Sequence, residues 1–151
     1  MALKQRIQDD LKAALLGGDR FVGETLRGLK AAILNEEVAQ NKRDEGLDDA
    51  TIEQIIAREV KKRNESANLY AENDRQESAA DERREADILK VYLPVQLGED
   101  ELRALIEAAI KQLGANGMGD MGKVIGVVKS KAGNTADGAS VARIVKEELS
   151  K

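Results

Sequence analysis

Residues 88–98 read ILKVYLPVQLG, and this stretch divides the chain into two parts of different composition. Proline lacks an amide hydrogen and pushes the residue before it towards an extended conformation, so Leu93-Pro94 is expected to end a helix. The composition changes at the same place, because eight of the thirteen glycines lie in the last 58 residues. Residues 1–93 carry a net charge of −4, whereas residues 94–151 are neutral. We therefore predict two domains, residues 1–93 and residues 94–151.

Upstream of this boundary, apolar residues recur every three or four positions, which is the spacing of a helix face that packs in a core. The spacing is interrupted at Gly17-Gly18, at residues 41–46 and at Asn73-Asp74, so the segment divides into four helices. Asp19 can cap the second helix. The expected core side chains are Leu3, Ile7, Leu11, Leu15, Val22, Leu26, Leu29, Ala32, Ile33, Val38, Ile52, Ile55, Ile56, Val60, Ala67, Leu69, Tyr70, Ala79, Ala86, Ile88, Leu89 and Tyr92.

Downstream of the boundary, the same spacing appears in three shorter segments. Gly98 precedes the first segment, Gly114 ends it, Gly133 ends the second, and Asp137 can cap the third. Aromatic residues, which favour strands, make up only 2% of the chain. We predict an all-α protein with an N-terminal four-helix domain followed by a small C-terminal three-helix bundle.

Composition excludes several classes of function. The chain contains no cysteine and no histidine, so it has no disulfide framework, no thiolate nucleophile and no Ser-His or Cys-His relay. The usual zinc and iron–sulfur ligand sets are absent for the same reason. No apolar run approaches a membrane span, and no basic-then-apolar leader opens the chain. We expect a soluble cytoplasmic protein without a metal site, a cofactor or a membrane partner.

Residues 117–123, GMGDMGK, match the glycine pattern of dinucleotide loops and most of the phosphate-loop pattern. Both motifs require a strand before the loop, whereas a helix is predicted here, and Val124 replaces the magnesium-binding Ser or Thr. A flexible turn between helices is therefore the preferred interpretation. A weaker alternative is that the amides at the start of the Met121 helix, together with Lys123, hold an RNA phosphate.

Two further charged clusters are better explained as solvated helix faces. The carboxylates of Asp81, Glu82 and Glu85 alternate with basic residues and lack the histidine that a di-metal helical site requires. The basic run around residues 58–63 is diluted by Glu59 and Glu65.

A more concentrated basic set lies near the C-terminus. Between residues 121 and 146 the only acid is Asp137. Such a patch can attract phosphate, and the scarcity of aromatic residues favours shape or backbone recognition of folded RNA over base stacking on a single strand. The candidate RNA-binding residues are Lys123, Lys129, Lys131, Arg143 and Lys146.

Short motifs spread over nearly the whole chain resemble those of YqeY-type proteins. The most specific are Tyr92-Leu93-Pro94 and the segment Asp120-Met121-Gly122-Lys123-Val124. This family resembles the C-terminal tail of GatB, a subunit of the tRNA-dependent amidotransferase that uses glutamine as its nitrogen donor. The resemblance implies an all-helical protein whose smaller domain holds tRNA. At residues 134–139 the sequence NTADGA departs from the family's GRADGK, and two expected basic residues are Thr135 and Ala139.

The leading functional hypothesis is a non-catalytic tRNA-binding module, with tRNA and an aminoacyl-tRNA-handling enzyme as the expected partners. The link to carbon–nitrogen ligation with glutamine is by homology to a tail alone, and no catalytic residue is identified. An alternative is a helical adaptor that binds another protein through its long N-terminal helices or a groove between the two domains. A stand-alone enzyme ranks third.

Overall fold

The computed structural model describes residues 2–151, and over this range the chain forms seven α-helices and no strand. The predicted all-α class is thereby confirmed. The helices are α1 (Leu3–Leu16), α2 (Arg20–Ala39), α3 (Asp49–Glu72), α4 (Gln76–Lys90), α5 (Glu99–Leu113), α6 (Met121–Ala132) and α7 (Gly138–Leu149). Short 3-10 turns at Met118–Asp120 and Gly133–Thr135 lie on either side of α6.

The helices pack into two compact units, with unit 1 ending at Leu93 and unit 2 beginning at Pro94. Unit 1 contains α1 to α4, and unit 2 contains α5 to α7. That these two units are separate domains stays a prediction. Within residues 2–151 no helix is both long and apolar enough to cross a membrane.

Aspartate side chains begin three of the helices. Asp19, Asp48 and Asp137 each accept a hydrogen bond from a backbone amide three residues on, which satisfies a donor that the helix itself leaves free. Hydrogen bonds from Thr51 lower the pKa of the Asp48 carboxyl. Helix α5 ends differently, at Gly114, whose φ of 64° lies in the left-handed region that glycine adopts most easily.

The core of unit 1 joins side chains from all four helices. Most of the predicted positions are buried, and Ile52, Ile56 and Leu89 are 0% exposed. Leu15, Val38 and Leu69 were expected in the core, and that prediction is wrong, because they are 50%, 58% and 61% exposed. Four residues turn an α-helix by about 400°, so a strict four-residue repeat drifts by about 40° a step, and Ala14 takes the core position in place of Leu15.

The core of unit 2 is smaller. Val124, Val128, Ile144 and Val145 are fully buried together with Ile106. Helix α6 is short and contains two glycines, so its stability depends on this packing rather than on intrinsic propensity. Its buried face positions the opposite face, which carries lysines, towards solvent.

Candidate nucleic-acid interface

Helix α6 is the centre of the basic surface in unit 2. It carries Lys123, Lys129 and Lys131 and no acidic residue. All three lysines are exposed, whereas Val124 and Val128 are buried on the core side. Lys129 and Lys131 also lie in the last turn, where a positive charge favours the negative end of the helix dipole. Helix stabilisation thus explains part of the pattern, but it does not explain Lys123 in the first turn.

Lys123, Gly126 and Lys129 follow one another at three-residue spacing and form a row along the solvent side of α6. A Cβ atom added to Gly126 would meet nothing within 4 Å, so no packing requirement of unit 2 excludes a side chain there. The helix backbone is therefore open at Gly126, between two lysines. At the end of the row, the Nζ atom of Lys129 lies 3.7 Å from the position that a Cβ atom on Gly138, the first residue of α7, would take, which is an ordinary van der Waals distance.

Lys131 points elsewhere. Its Nζ atom donates a hydrogen bond of 3.1 Å to Oε1 of Gln112 at the end of α5. The neighbouring Lys111 is also exposed and forms no ion pair among the described residues. Sequence reasoning did not include Lys111, because it counted charges only between residues 121 and 146.

The structure places Arg143 among carboxylates rather than with the lysines. Its guanidinium contacts Glu99 at 2.5 Å and Glu147 at 3.1 Å. The charge count over residues 121–146 did not reveal this pairing. Glu99 is distant in the chain, and Glu147 lies one residue beyond that range. The two neighbouring negative charges offset that of Arg143, so its charge is the least available to a ligand among the paired and unpaired cations of the predicted set.

Arg143 belongs to a chain of alternating charges along α5 and α7. Arg103 contacts Glu147 at 2.8 Å and Glu148 at 2.6 Å, and Lys151 contacts Glu148 at 2.9 Å. The pairs Glu99–Arg143 and Arg103–Glu147 share the same sequence offset of 44 residues. The two helices therefore run in the same direction, side by side. We call these six residues, with Glu99 at one end and Lys151 at the other, the α5–α7 ion network.

The α5–α7 ion network shifts the pKa values of its members in the direction expected for paired charges. Hydrogen bonds from Arg103 and Arg143 lower the pKa of Glu147, and those from Lys151 and Arg103 lower the pKa of Glu148. The hydrogen bonds to Glu99 and Glu147 raise the pKa of Arg143. Since the network contains three cations and three anions, it adds no net charge to unit 2.

Lys146 remains on the exposed side of α7, without an ion pair among residues 2–151. The final distribution is therefore uneven. Lys123 and Lys129 share one row on α6, Lys131 is near α5, Lys146 lies on α7, and Arg143 is bound in the ion network.

The glycine-containing segment before α6 forms a 3-10 turn, Met118–Asp120, preceded by helix α5 and not by a strand. Asp120 is the N-cap residue of α6, and its Oδ2 atom accepts the backbone amide of Asn116 at 3.3 Å. This carboxylate beside the first turn repels a phosphate. The arrangement argues against a phosphate held at the amides that begin α6, whereas Lys123 of the same turn lies on the exposed row with Lys129.

All three aromatic rings of the chain lie beneath arginine side chains. The guanidinium carbons of Arg84, Arg75 and Arg6 lie 4.1, 5.1 and 4.8 Å from the ring centres of Phe21, Tyr70 and Tyr92. These are cation–π distances. The rings are engaged in unit 1, and unit 2 contains none, so base stacking has no aromatic platform near the lysines.

The charged clusters of unit 1 are largely paired with each other. Glu59 contacts Arg63 at 3.2 Å and Lys62 at 3.4 Å, and Arg58 lies 3.7 Å from Glu36. Burial raises the pKa of Glu85, and nearby Arg63 partly opposes that effect. In the part of the chain that the structure describes, no group of three or more acidic side chains is arranged to hold a metal ion.

A family model described as Yqey-like protein matches residues 4–149. The protein named Altered inheritance of mitochondria protein 41, mitochondrial, from Eremothecium gossypii is 33% identical over 110 residues, which cover 71% of this chain and 58% of that protein. Its counterpart of the same name from Saccharomyces cerevisiae is 27% identical over 127 residues, 84% of this chain and 60% of that protein. The chain thus spans about three-fifths of the length of these curated relatives.

Proposed function

Because the chain belongs to the YqeY-like protein family, we propose that it is a non-catalytic RNA-binding protein whose unit 2 holds folded tRNA through phosphate and sugar contacts. The observation that carries this proposal is the sorting of charges in unit 2. Arg103, Arg143 and Lys151 are paired with carboxylates, whereas the lysines of α6 and Lys146 are exposed and free of ion pairs within residues 2–151.

Unpaired lysines suit an RNA backbone for a physical reason. Each one binds a phosphate without first breaking an existing ion pair, and each contact releases a condensed counterion. A salt-dependent affinity follows. Lysine contacts of this kind position a folded RNA but do not distinguish its bases, so shape is the feature recognised.

The open backbone at Gly126 supports the same proposal. Glycine in a helix costs about 0.5–1 kcal/mol relative to alanine, and no neighbour in unit 2 requires its small size here. A sugar–phosphate chain that lies along Lys123 and Lys129 passes directly over this position. The absence of a side chain at Gly126 allows the closest approach between the two lysines.

The decisive experiment measures tRNA binding by the full chain at two salt concentrations. The test variant changes Lys123, Lys129 and Lys146 to Glu together. The matched control changes Lys12, Lys61 and Arg83 to Glu; these are exposed cations of unit 1, so the change in total charge is identical. The proposal predicts that the test variant loses at least about tenfold in affinity at low salt and that each lost contact flattens the logarithmic salt slope by about 0.7–0.9.

Equal affinities of the test variant and the unit 1 control would remove the proposal, because a general charge effect would then account for all binding. Arg143→Gln is a second control. Since Glu99 and Glu147 already offset the charge of Arg143, we expect this variant to change tRNA affinity by less than about twofold.

The second candidate function is a protein-binding adaptor without RNA affinity. The observation that favours it lies in unit 1, where Leu34 and Val38 of α2 are 43% and 58% exposed at four-residue spacing. An adaptor predicts a stable protein complex that survives RNase treatment, whereas the RNA proposal predicts a complex that RNase dissolves.

Two further parts of the functional hypothesis rest on resemblance. The relation to the glutamine-dependent amidotransferase is by similarity to the GatB tail, and an aminoacyl-tRNA-handling enzyme is accordingly the proposed protein partner. The cytoplasmic location likewise stays a prediction, while the relatives carry the word mitochondrial in their names. Fractionation of the source cell with an antibody against the chain tests the location.

A further inference from the structure

An open groove runs between α1 and α2 in unit 1, with a volume of about 310 Å³. Ile7, Ile33 and Leu34 are among the apolar side chains that line it. Ile7 and Ile33 are also part of the unit 1 core, with exposed fractions of 1% and 2%. Packing in the core therefore fixes the base of the groove. The volume falls at the lower end of the range typical of ligand sites, enough for one or two large side chains of a partner.

The apolar surface continues beyond the groove along α2. Leu34 and Val38 lie four residues apart and are 43% and 58% exposed, and Ala31 is exposed one turn earlier. From Arg27 to Val38 this surface extends for about 16 Å at 1.5 Å per residue, or about three helical turns. A long, open strip of this kind matches an elongated partner such as a helix better than a compact small molecule.

Positive charge surrounds the groove. Lys4, Arg27 and Lys30 all line it, and the one acid in the lining is Glu37. The Glu37 side chain is only 2% exposed and contacts the Lys4 ammonium at 2.7 Å, so these two charges offset each other. Arg27 and Lys30 are exposed and form no ion pair among the residues that the structure describes. The groove is therefore bordered by two uncompensated cations although unit 1 as a whole is acidic.

We propose that the α1–α2 groove binds a short amphipathic helix of a protein partner, with acidic residues flanking its apolar face. The apolar anchors enter the groove over Ile7 and Leu34, and the acidic side chains contact Arg27 and Lys30. Helices bind grooves through apolar residues repeated every three or four positions. Arg27 and Lys30 attract acidic side chains although unit 1 as a whole is negatively charged, so charge complementarity favours an acidic partner at this border.

This inference is independent of RNA binding by unit 2, and it supplies the adaptor alternative with a surface and a partner chemistry. A failed peptide experiment leaves the RNA proposal standing, and a failed tRNA experiment leaves the groove proposal standing, because the residues lie in different units.

The test uses the full chain and an unbiased display library of helical peptides about 16 residues long. Peptides are retained that bind the wild-type chain and fail to bind Leu34→Asp. We expect the retained sequences to be net acidic, with apolar residues every three or four positions. The affinity of one such synthetic peptide, measured by fluorescence anisotropy, should fall at least about tenfold in the double variant Arg27→Glu/Lys30→Glu.

Two control variants separate an effect at the groove from a general effect of charge or of unfolding. Lys12→Glu/Lys61→Glu makes the same change in charge on exposed residues that do not line the groove, and it should alter peptide affinity by less than about twofold. Val38→Asp repeats the apolar test at a more exposed position, and circular dichroism of each variant reports whether the helices are retained.

Several results would overturn the proposal. One such result is a library that yields no peptide whose binding depends on Leu34. Selection of basic instead of acidic peptides is another. A third is groove-dependent binding of the chain to vesicles of phosphatidylglycerol and phosphatidylcholine with no peptide binding, which would assign the groove to lipid. A fourth is a dimer in sedimentation that Leu34→Asp dissociates, which would identify the occupant as a second copy of this chain.

Discussion

The hydroxyl of Tyr92 donates a hydrogen bond of 2.6 Å to Oδ2 of Asp10, and so joins the end of unit 1 to its first helix across 82 residues. The Tyr92 ring is 6% exposed, and Arg6 of the same first helix lies over it. Tyr92 comes two residues after the last residue of α4. Its side chain therefore holds the segment before Pro94 against α1 through three different interactions.

Tyr92→Phe removes this hydrogen bond and keeps the ring. We expect a loss of about 1.5 kcal/mol in the free energy of unfolding, since the acceptor is charged and only partly hydrated. The measurement is urea unfolding. Tyr70→Phe is the control, because the Tyr70 hydroxyl has no hydrogen-bond partner among the described residues and should cost less than about 0.5 kcal/mol.

The same tyrosine gives a prediction at alkaline pH. Burial, the hydrogen bond to Asp10 and the charge of that carboxylate raise the pKa of Tyr92 above the ordinary value of 10.0. A raised folded-state pKa contributes stability that is complete below the unfolded-state pKa and is lost as pH rises towards the folded value. The wild type should therefore lose stability above about pH 10 more steeply than Tyr92→Phe. Parallel curves for the two proteins would contradict this assignment.

Glu147→Gln tests the α5–α7 ion network at acidic pH. Because pairing lowers the pKa of Glu147, the network contributes stability that is present above the ordinary value of 4.5 and is lost as pH falls through the folded-state value. Thermal midpoints measured from about pH 7 to about pH 3 should fall more steeply in the wild type than in the variant. Glu107→Gln, an exposed carboxylate of α5 without an ion pair in the described chain, should follow the wild type.

Gly126→Ala separates helix stability from RNA binding. Since the site is open, alanine should raise the free energy of unfolding by about 0.5–1 kcal/mol. If an RNA backbone passes over Gly126, the same change should weaken tRNA binding. Gly28→Ala on α2 is the matched control, because its Cβ would meet Arg63 only at 3.7 Å and unit 2 is untouched. Lower stability, or unchanged tRNA affinity, would show that Gly126 serves another purpose.

Substitutions in the two cores test whether the units fold independently. Ile56 of unit 1 and Ile144 of unit 2 are both 0% exposed. Changing either to alanine should cost about 2–5 kcal/mol. In calorimetry, we expect Ile56→Ala to lower one transition and Ile144→Ala to lower the other. A single transition lowered alike by both variants would show that the chain unfolds as one cooperative body.

The helices themselves were largely predictable from local patterns. Asp19, Asp48 and Asp137 begin helices because a short acidic side chain reaches the free amides of the first turn, and this depends only on neighbouring residues. The predictions that Leu15, Val38 and Leu69 are buried are wrong for an equally local reason. An apolar residue at helical spacing does not reveal how far its face has rotated from the core.

The candidate site was predictable only in part. The lysines of α6 are exposed and the helix has no acid of its own, while their role as RNA ligands stays a prediction. The pairing of Arg143 with Glu99 was not accessible from the sequence, since the two residues lie 44 positions apart and meet only when α5 and α7 run side by side. The α1–α2 groove could not be predicted from the sequence for a similar reason. Its cations come from two helices, and neither helix alone is markedly basic.

Periodicity, capping residues and the single proline determined the seven helices and their order, because backbone conformation responds to residues within a few positions. Tertiary packing alone decided which charges are neutralised and which stay available to a partner. Coulomb attraction depends on distance in space, and only the folded chain brings Arg143 to Glu99 and Lys4 to Glu37 while it leaves Lys123 and Lys30 exposed in solvent.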